Sequence, residues 1–290
     1  MNTQNCKQIT LAAPVSCSGV GIHSGKEVTI TVKPAPANHG IRFVRTDLPD
    51  CPSVKAHFNM IVDTSLATVI GHKGMIVSTI EHLMASFFGL EIDNAEVEID
   101  SYEMPIMDGS AGPFTEMLKS AGFQDQVGAR SYFVVEKPLL IEEGKTSVGI
   151  YPSPDFKVTC SIDYDHPLIQ KQTFSVHVDR LSFEHDICSA RTFGFLTDLD
   201  ALKQHGLARG GSLDNVVVLD KTTVMNEGGL RFADEFVRHK VLDCIGDFAL
   251  LGMPILGHIV ANRSGHAFHH AFLKEFFFRK DSWETRTIND

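Results

Sequence analysis

The segment Asp234–Gly252, DEFVRHKVLDCIGDFALLG, constrains the fold most. Phe236, Val241, Leu242, Ile245 and Phe248 recur at helical spacing and form one apolar body, so the helix they make belongs in an interior. Through that body runs a polar row of His239, Asp243 and Asp247, each four residues from the next and therefore on one face. Charges inside an apolar helix are costly unless paired, hydrogen-bonded or metal-bound. The row suits an exposed face, a hydrogen-bonded His–Asp pair, or a metal site. Lys240 beside it adds a cation that the first two leave unexplained.

Two other segments offer partners. Ser78–Gly89, STIEHLMASFFG, predicts a helix over about 78–90. Its Ser78-x-x-Glu81 has the pattern of a capping box, in which Glu81 reaches back to the helix start. His82, Ala85, Ser86 and Gly89 share a face small enough for close packing. Ser264–His270, SGHAFHH, holds three histidines in five residues. A His266 working as an acid needs an orienting carboxylate, and Asp247 is the candidate. His82, His239 and Asp243 supply the two imidazoles and one carboxylate that suit a catalytic zinc with an open fourth place. Glu81 is then a general base toward the attacking water, and His266 the proton donor to the leaving group.

Around these segments the chain alternates strands and helices. Glu27–Lys33 and Asn94–Asp100 read as strands, with Gly19–Gly25 a tight connection before the first. A helix at about 113–121 has Pro113 near its first position and Gly122 as its stop. The polar stretch 124–130 reads as a linker, after which strands begin at Ser131, Thr146–Tyr151 and Lys157–Tyr164. A Phe-, Leu- and Gly-rich block at about 186–225 reads as an insertion, and helices near 234–252 and 265–278 flank an apolar strand, Pro254–Val260. The reading is an α+β chain of two domains with similar layers, 1–126 and 127–290.

With 26 basic against 36 acidic residues the chain carries −10, which argues against nucleic acid as a partner. Six scattered cysteines with no C-x-x-C read as reduced thiols of a cytoplasmic protein. The start, MNTQNCKQIT, has neither a signal-peptide nor a transit-peptide layout. The most apolar stretch, Phe248–Ala261, is interrupted by Pro254 and too short to insert across a membrane.

SGVGIHSGKEV, STIEHLMASFFGLEIDNAEVEID, PIMDGSAGPF, ARTFGF, GGSLDN, GLRFADEFVRHKVLDCIGD and SGHAFHH together resemble the UDP-3-O-acyl-N-acetylglucosamine deacetylases, from about residue 8 to about 278 and in the family's order. These are zinc amidases of the committed step of lipid A synthesis. The resemblance implies two domains of similar topology, each a β-sheet layered with two helices and each carrying an insertion. It implies His82, His239 and Asp243 as zinc ligands, Glu81 as general base, His266 as catalytic acid and Asp247 as its orienting carboxylate. Thr192, in R-T-F-G-F, would help hold the oxyanion, and Lys240 would bind substrate. Tyr164, in I-D-Y-D-H-P, stands where the family usually has a phenylalanine against the uracil.

The insertion at 193–220, with Phe193, Phe195, Leu196, Leu202, Leu207 and Val217, is implied to form an apolar passage for the substrate's acyl chain, and Gly210 is counted with it. Core packing of a βαβ piece is the alternative for any one of these residues. Gly210-Gly211-Ser212 lacks the strand-and-helix context of a phosphate loop. Asp108 and Gly109, in P-I-M-D-G-S-A-G-P, match a family signature that a turn and helix start largely explain. The expected cofactor is one Zn2+ per chain, with Fe2+ as the alternative ion. The expected partner is a UDP-linked acylated glucosamine, and the chain is expected to be a monomer. Rival readings are a related zinc amidase acting on another acylated amine, and a non-catalytic binding protein whose His/Asp rows are structural.

Overall fold

A computed structural model describes residues 6–288. Val15–Val20 and Glu27–Pro34 pair antiparallel across the expected tight connection. They open a five-stranded sheet that continues through Ala95–Ile99, Ile41–Arg45 and Ser53–Lys55. Period-two alternation decides its faces: Val28, Ile30 and Val32 are buried, while Glu27 and Thr29 are exposed. Helix α1 (Glu81–Gly89) packs on α2 (Gly112–Ser120), which has Pro113 in its first turn and leans on Val15–Val20.

An eight-stranded sheet is built mainly from the second half of the chain. Its central run is Lys7–Leu11, Phe123–Val135, Ile255–Asn262, Thr146–Tyr151 and Leu139–Glu143. The stretch expected as a linker lies inside Phe123–Val135. Its first part pairs antiparallel with Lys7–Leu11, and its last part pairs with Ile255–Asn262 and with Trp283–Ile288. The side chains there are mostly outside the core, so polar residues cost little while the backbone ladder is kept.

The remaining helices are α3 (Arg180–Ser182, a single turn), α4 (Leu196–Gln204), α5 (Glu235–Phe248) and α6 (His266–Phe278). Helix α5 touches α1, α6 and the strand Phe156–Tyr164. One continuous apolar cluster, with Phe87, Phe236, Phe248, Phe272 and Phe276 among its buried rings, runs through both halves. Two small elements stand apart from the large sheets. One is the antiparallel trio Ile61–Asp63, Val69–His72 and Met75–Val77. The other joins Phe193–Phe195 in parallel to Val217–Leu219, with α4 between them. The architecture is α+β, as the sequence predicts.

Candidate active site

Glu81 and His82 open α1, but the expected capping box does not form. Ser78 sits in extended backbone, bridged to Glu103 with its N–H on the Tyr102 carbonyl, and Thr79 turns through φ +62°. The helix therefore starts after Ser78 has been committed elsewhere, and Ile80 at its N-cap makes no side-chain hydrogen bond. The Glu81 carboxylate is free for another task, and its Oε2 accepts from the Thr68 N–H at 3.1 Å.

Helix α5 brings His239 and Asp243 opposite His82. Their facing atoms, His82 Nε2, His239 Nε2 and Asp243 Oδ1, are separated by 3.7 Å from His82 to Asp243 and 3.4 Å from His239 to Asp243. A tetrahedral ion with ligand bonds of about 2.0–2.1 Å spaces its donors by about 3.3 Å, so this set accepts a divalent metal with little movement. Hydrogen bonds around it aim the donors. The His239 Nδ1 faces the Ala190 carbonyl at 3.0 Å, which turns Nε2 inward. Lys240 Nζ donates to Asp243 Oδ2 at 2.8 Å, which leaves Oδ1 on the inner side. Burial pushes the His239 imidazole down to about 4, keeping it in the neutral form that binds metal. Burial opposes ionisation of Asp243, but His239 and Lys240 outweigh it and hold the carboxyl well below the usual range.

The last member of the α5 row, Asp247, faces α6 and is buried. Its Oδ2 accepts from His266 Nδ1 at 2.8 Å and from His269 Nδ1 at 2.7 Å, and its Oδ1 accepts from the Thr68 hydroxyl at 2.5 Å. Burial would lower the His266 imidazole, but the charge and hydrogen bond of Asp247, with Glu81 and Asp243 nearby, push it up to about 10. The His266 Nε2 then points toward Glu81 Oε1, 3.9 Å away. Burial raises the Glu81 carboxyl above its ordinary value.

Glu81, His82, His239, Asp243 and His266 share one cavity of about 560 Å3, lined also by Lys240, Thr192, Tyr164, Phe193 and Leu196. Thr192 is placed by its backbone, donating to the Gly109 carbonyl at 2.7 Å and accepting from Val217 N–H at 2.8 Å. Its neighbour Arg191 is fastened to the buried Glu235 at the start of α5, with Nε–Oε1 at 2.8 Å. The Tyr164 ring meets Phe193 and Phe195 with centroids 5.7 Å and 5.9 Å apart.

Three residues counted with the acyl passage lie off the cavity wall. Val217 is buried in the core because strand alternation turns Val216 and Val218, not Val217, to the cavity. Gly210 is pinned by its own N–H on the Ile22 carbonyl at 3.0 Å, so close to Gly21 that a Cβ would lie 2.3 Å from its oxygen. Leu207 closes the turn after α4, its N–H on the Leu202 carbonyl at 2.9 Å. Asp108 works as a turn: it accepts from Ser110 N–H at 3.0 Å and pairs with Arg231 at 2.8 Å. Sequence reasoning missed Thr68, His269 as a partner of Asp247, and His23 on the cavity wall. The SGVGIHSGKEV motif carried a signal for His23, whereas a threonine before a short strand carries none.

Known proteins place the chain. The family described as UDP-3-O-acyl N-acetylglycosamine deacetylase matches residues 8–278. A UDP-3-O-acyl-N-acetylglucosamine deacetylase of Myxococcus xanthus is 47% identical over 275 residues, covering 95% of this chain and 88% of the relative. One of Geotalea uraniireducens is 48% identical over 276 residues, covering 95% and 90%. One of Teredinibacter turnerae is 44% identical over 286 residues, covering 98% and 94%.

Proposed function

Because the chain belongs to the UDP-3-O-acyl-N-acetylglucosamine deacetylase family, we propose that it performs that reaction in the cavity over His82, His239 and Asp243. It is a metal-dependent deacetylase of lipid A biosynthesis that hydrolyses the acetamide of the UDP-linked, 3-O-acylated sugar to acetate and a free amine. The observation that supports this site is the convergence of two imidazoles and a carboxylate, from α1 and α5, beside a buried Glu81 and a charged His266.

His82, His239 and Asp243 would hold a divalent ion, zinc in this proposal with iron(II) as its alternative, which would supply Lewis acidity to the reacting groups. Glu81, anchored through Oε2, uses Oε1 to take the proton from the attacking water. His266 keeps its Nε2 proton against Asp247 and gives it to the departing amine. The Thr192 hydroxyl and the His266 charge stabilise the developing oxyanion. Lys240, Tyr164, Phe193 and Leu196 hold the rest of the substrate, whose remote contacts position the amide.

We assign the two halves, 1–126 and 127–290, as two domains that share this cavity and are joined through the strand Phe123–Val135, and the working form as a cytoplasmic monomer. Among the described residues no helix is long and apolar enough to cross a membrane. The test pairs metal analysis of the purified protein with an acetate-release assay on the UDP-sugar. Stoichiometric metal with release is expected; release that persists after chelation overturns the metal-dependent reading.

A further inference from the structure

Thr68 is buried to 1% exposure at the edge of the small Ile61–Val77 sheet, 179 residues from its partner Asp247. Three contacts tie it to the reacting groups. Its N–H donates to Glu81 Oε2 at 3.1 Å. Its hydroxyl proton goes to Asp247 Oδ1 at 2.5 Å, since an ionised carboxylate can only accept. The same oxygen, with its lone pairs left over, lies 3.3 Å from His266 Nδ1. Its carbonyl accepts from the Ile80 N–H at 3.4 Å, fixing Thr68 against the start of α1.

We propose that Thr68 is a positioning residue for both the base and the acid of the reaction, an inference that rests on the roles given above to Glu81 and His266. The backbone half of the device holds Oε2 of Glu81, so Oε1 is the oxygen presented to the cavity. The side-chain half holds Oδ1 of Asp247, which fixes the plane of that carboxylate and so the direction in which Oδ2 meets His266 and His269. The His266 proton at Nδ1 is then shared between Asp247 and the Thr68 oxygen, and Nε2 is kept on the substrate side. A carboxylate that has lost one anchoring donor can rock about its Cβ–Cγ bond, and the imidazole rocks with it. Misaligned proton donors lose transition-state stabilisation without losing ground-state binding. The backbone N–H is kept by every substitution at 68 except proline, so the hydroxyl can be tested by itself.

The experiment is steady-state kinetics of the metal-loaded, full-length enzyme on the UDP-3-O-acyl sugar. Thr68→Val removes the hydroxyl at nearly constant shape. It is expected to lower kcat about tenfold or more, the usual cost of losing a hydrogen bond to a charged group, with KM within about twofold and full metal content. Thr68→Ser should recover most of the rate. In a His266→Ala background, Thr68→Val should cost almost nothing further, because the residue it aligns is gone. Wild-type kcat in Thr68→Val overturns the proposal, as does an undiminished cost of Thr68→Val in the His266→Ala background. Should valine destabilise the fold, Thr68→Ser against Thr68→Ala repeats the comparison, since both lose the methyl and one keeps the hydroxyl; equal kcat in that pair also overturns it. Wild-type turnover in His266→Ala itself would remove the acid role and the proposal together, whereas a crippled His266→Ala beside a normal Thr68→Val removes the proposal alone.

Discussion

The carbonyl oxygen of Glu81 lies so close to Gly246 that a Cβ on the glycine would fall 2.1 Å from it. That is backbone against backbone, with no side chain to swing aside. The approach lets α5 lie on α1 closely enough for His239 and Asp243 to meet His82. Gly246→Ala must therefore separate the two helices. We expect a loss of about 1–3 kcal/mol or more in stability, together with weakened metal binding. Thermal melting and metal content check both; a variant equal to wild type in each would show that the helix spacing is not fixed there.

Glu81→Gln tests the base. Glutamine keeps an oxygen for the Thr68 N–H and nearly the same volume, but it cannot take a proton from water. Turnover should fall by about 10²–10⁴, with metal content and melting temperature unchanged. A glutamine enzyme of normal turnover would assign Glu81 a purely structural part.

The α5 row was legible because its spacing is local: His239, Asp243 and Asp247 share a face by helix geometry alone. What each meets was not. Asp247 serves His266, His269 and Thr68, contacts made across the fold and invisible to periodicity. The S-x-x-E pattern before α1 suggested a cap, and tertiary pairing of Ser78 with Glu103 removed it. Residues 124–130 read as a linker because an edge-exposed strand needs no apolar face, only a partner backbone, and Lys7–Leu11 supplies one from far away in sequence. Val217 was assigned to the passage by the family resemblance, and the phase of a three-residue strand decided otherwise.

The pH dependence follows from two upward shifts with different causes. Burial raises the Glu81 carboxyl, so the acid limb of kcat/KM should lie above the ordinary carboxylate range. His266 is pushed up to about 10, mainly by Asp247 acting against burial, so the rate should fall as pH rises toward that value. Asp247→Asn removes the charge that holds the proton and should move the alkaline limb to lower pH. The same shift acts on stability: a raised imidazole contributes fully below its ordinary pKa of about 6.5 and loses that contribution as pH rises through about 10. An alkaline limb unchanged in Asp247→Asn would contradict the assignment.

Metal removal should silence the enzyme. Chelation is expected to abolish acetate release, and separate additions of Zn2+ and Fe2+ identify the ion that restores it. His239→Ala deletes a buried donor and should abolish stoichiometric metal and activity together. A purified His239→Ala protein with full metal content would show that the ion is held elsewhere.

The block 186–225 carries the remaining test. Leu196, Leu213 and Met225 are 41%, 47% and 40% exposed, yet all three line the same cavity as Phe193, Leu199 and Leu202. Scattered exposed apolar side chains need no explanation, but a set converging on one cavity marks a surface shaped for an apolar ligand. An acyl chain laid there would gain roughly 0.8 kcal/mol for each buried methylene. Four buried methylenes amount to about 3 kcal/mol, or about two orders of magnitude in kcat/KM. The substrate without its 3-O-acyl group should lose at least that much, and Leu202→Asp should weaken the acylated substrate while leaving the unacylated one nearly unaffected. Equal kcat/KM for the two substrates would mean that the cavity's apolar wall belongs to the fold rather than to the ligand.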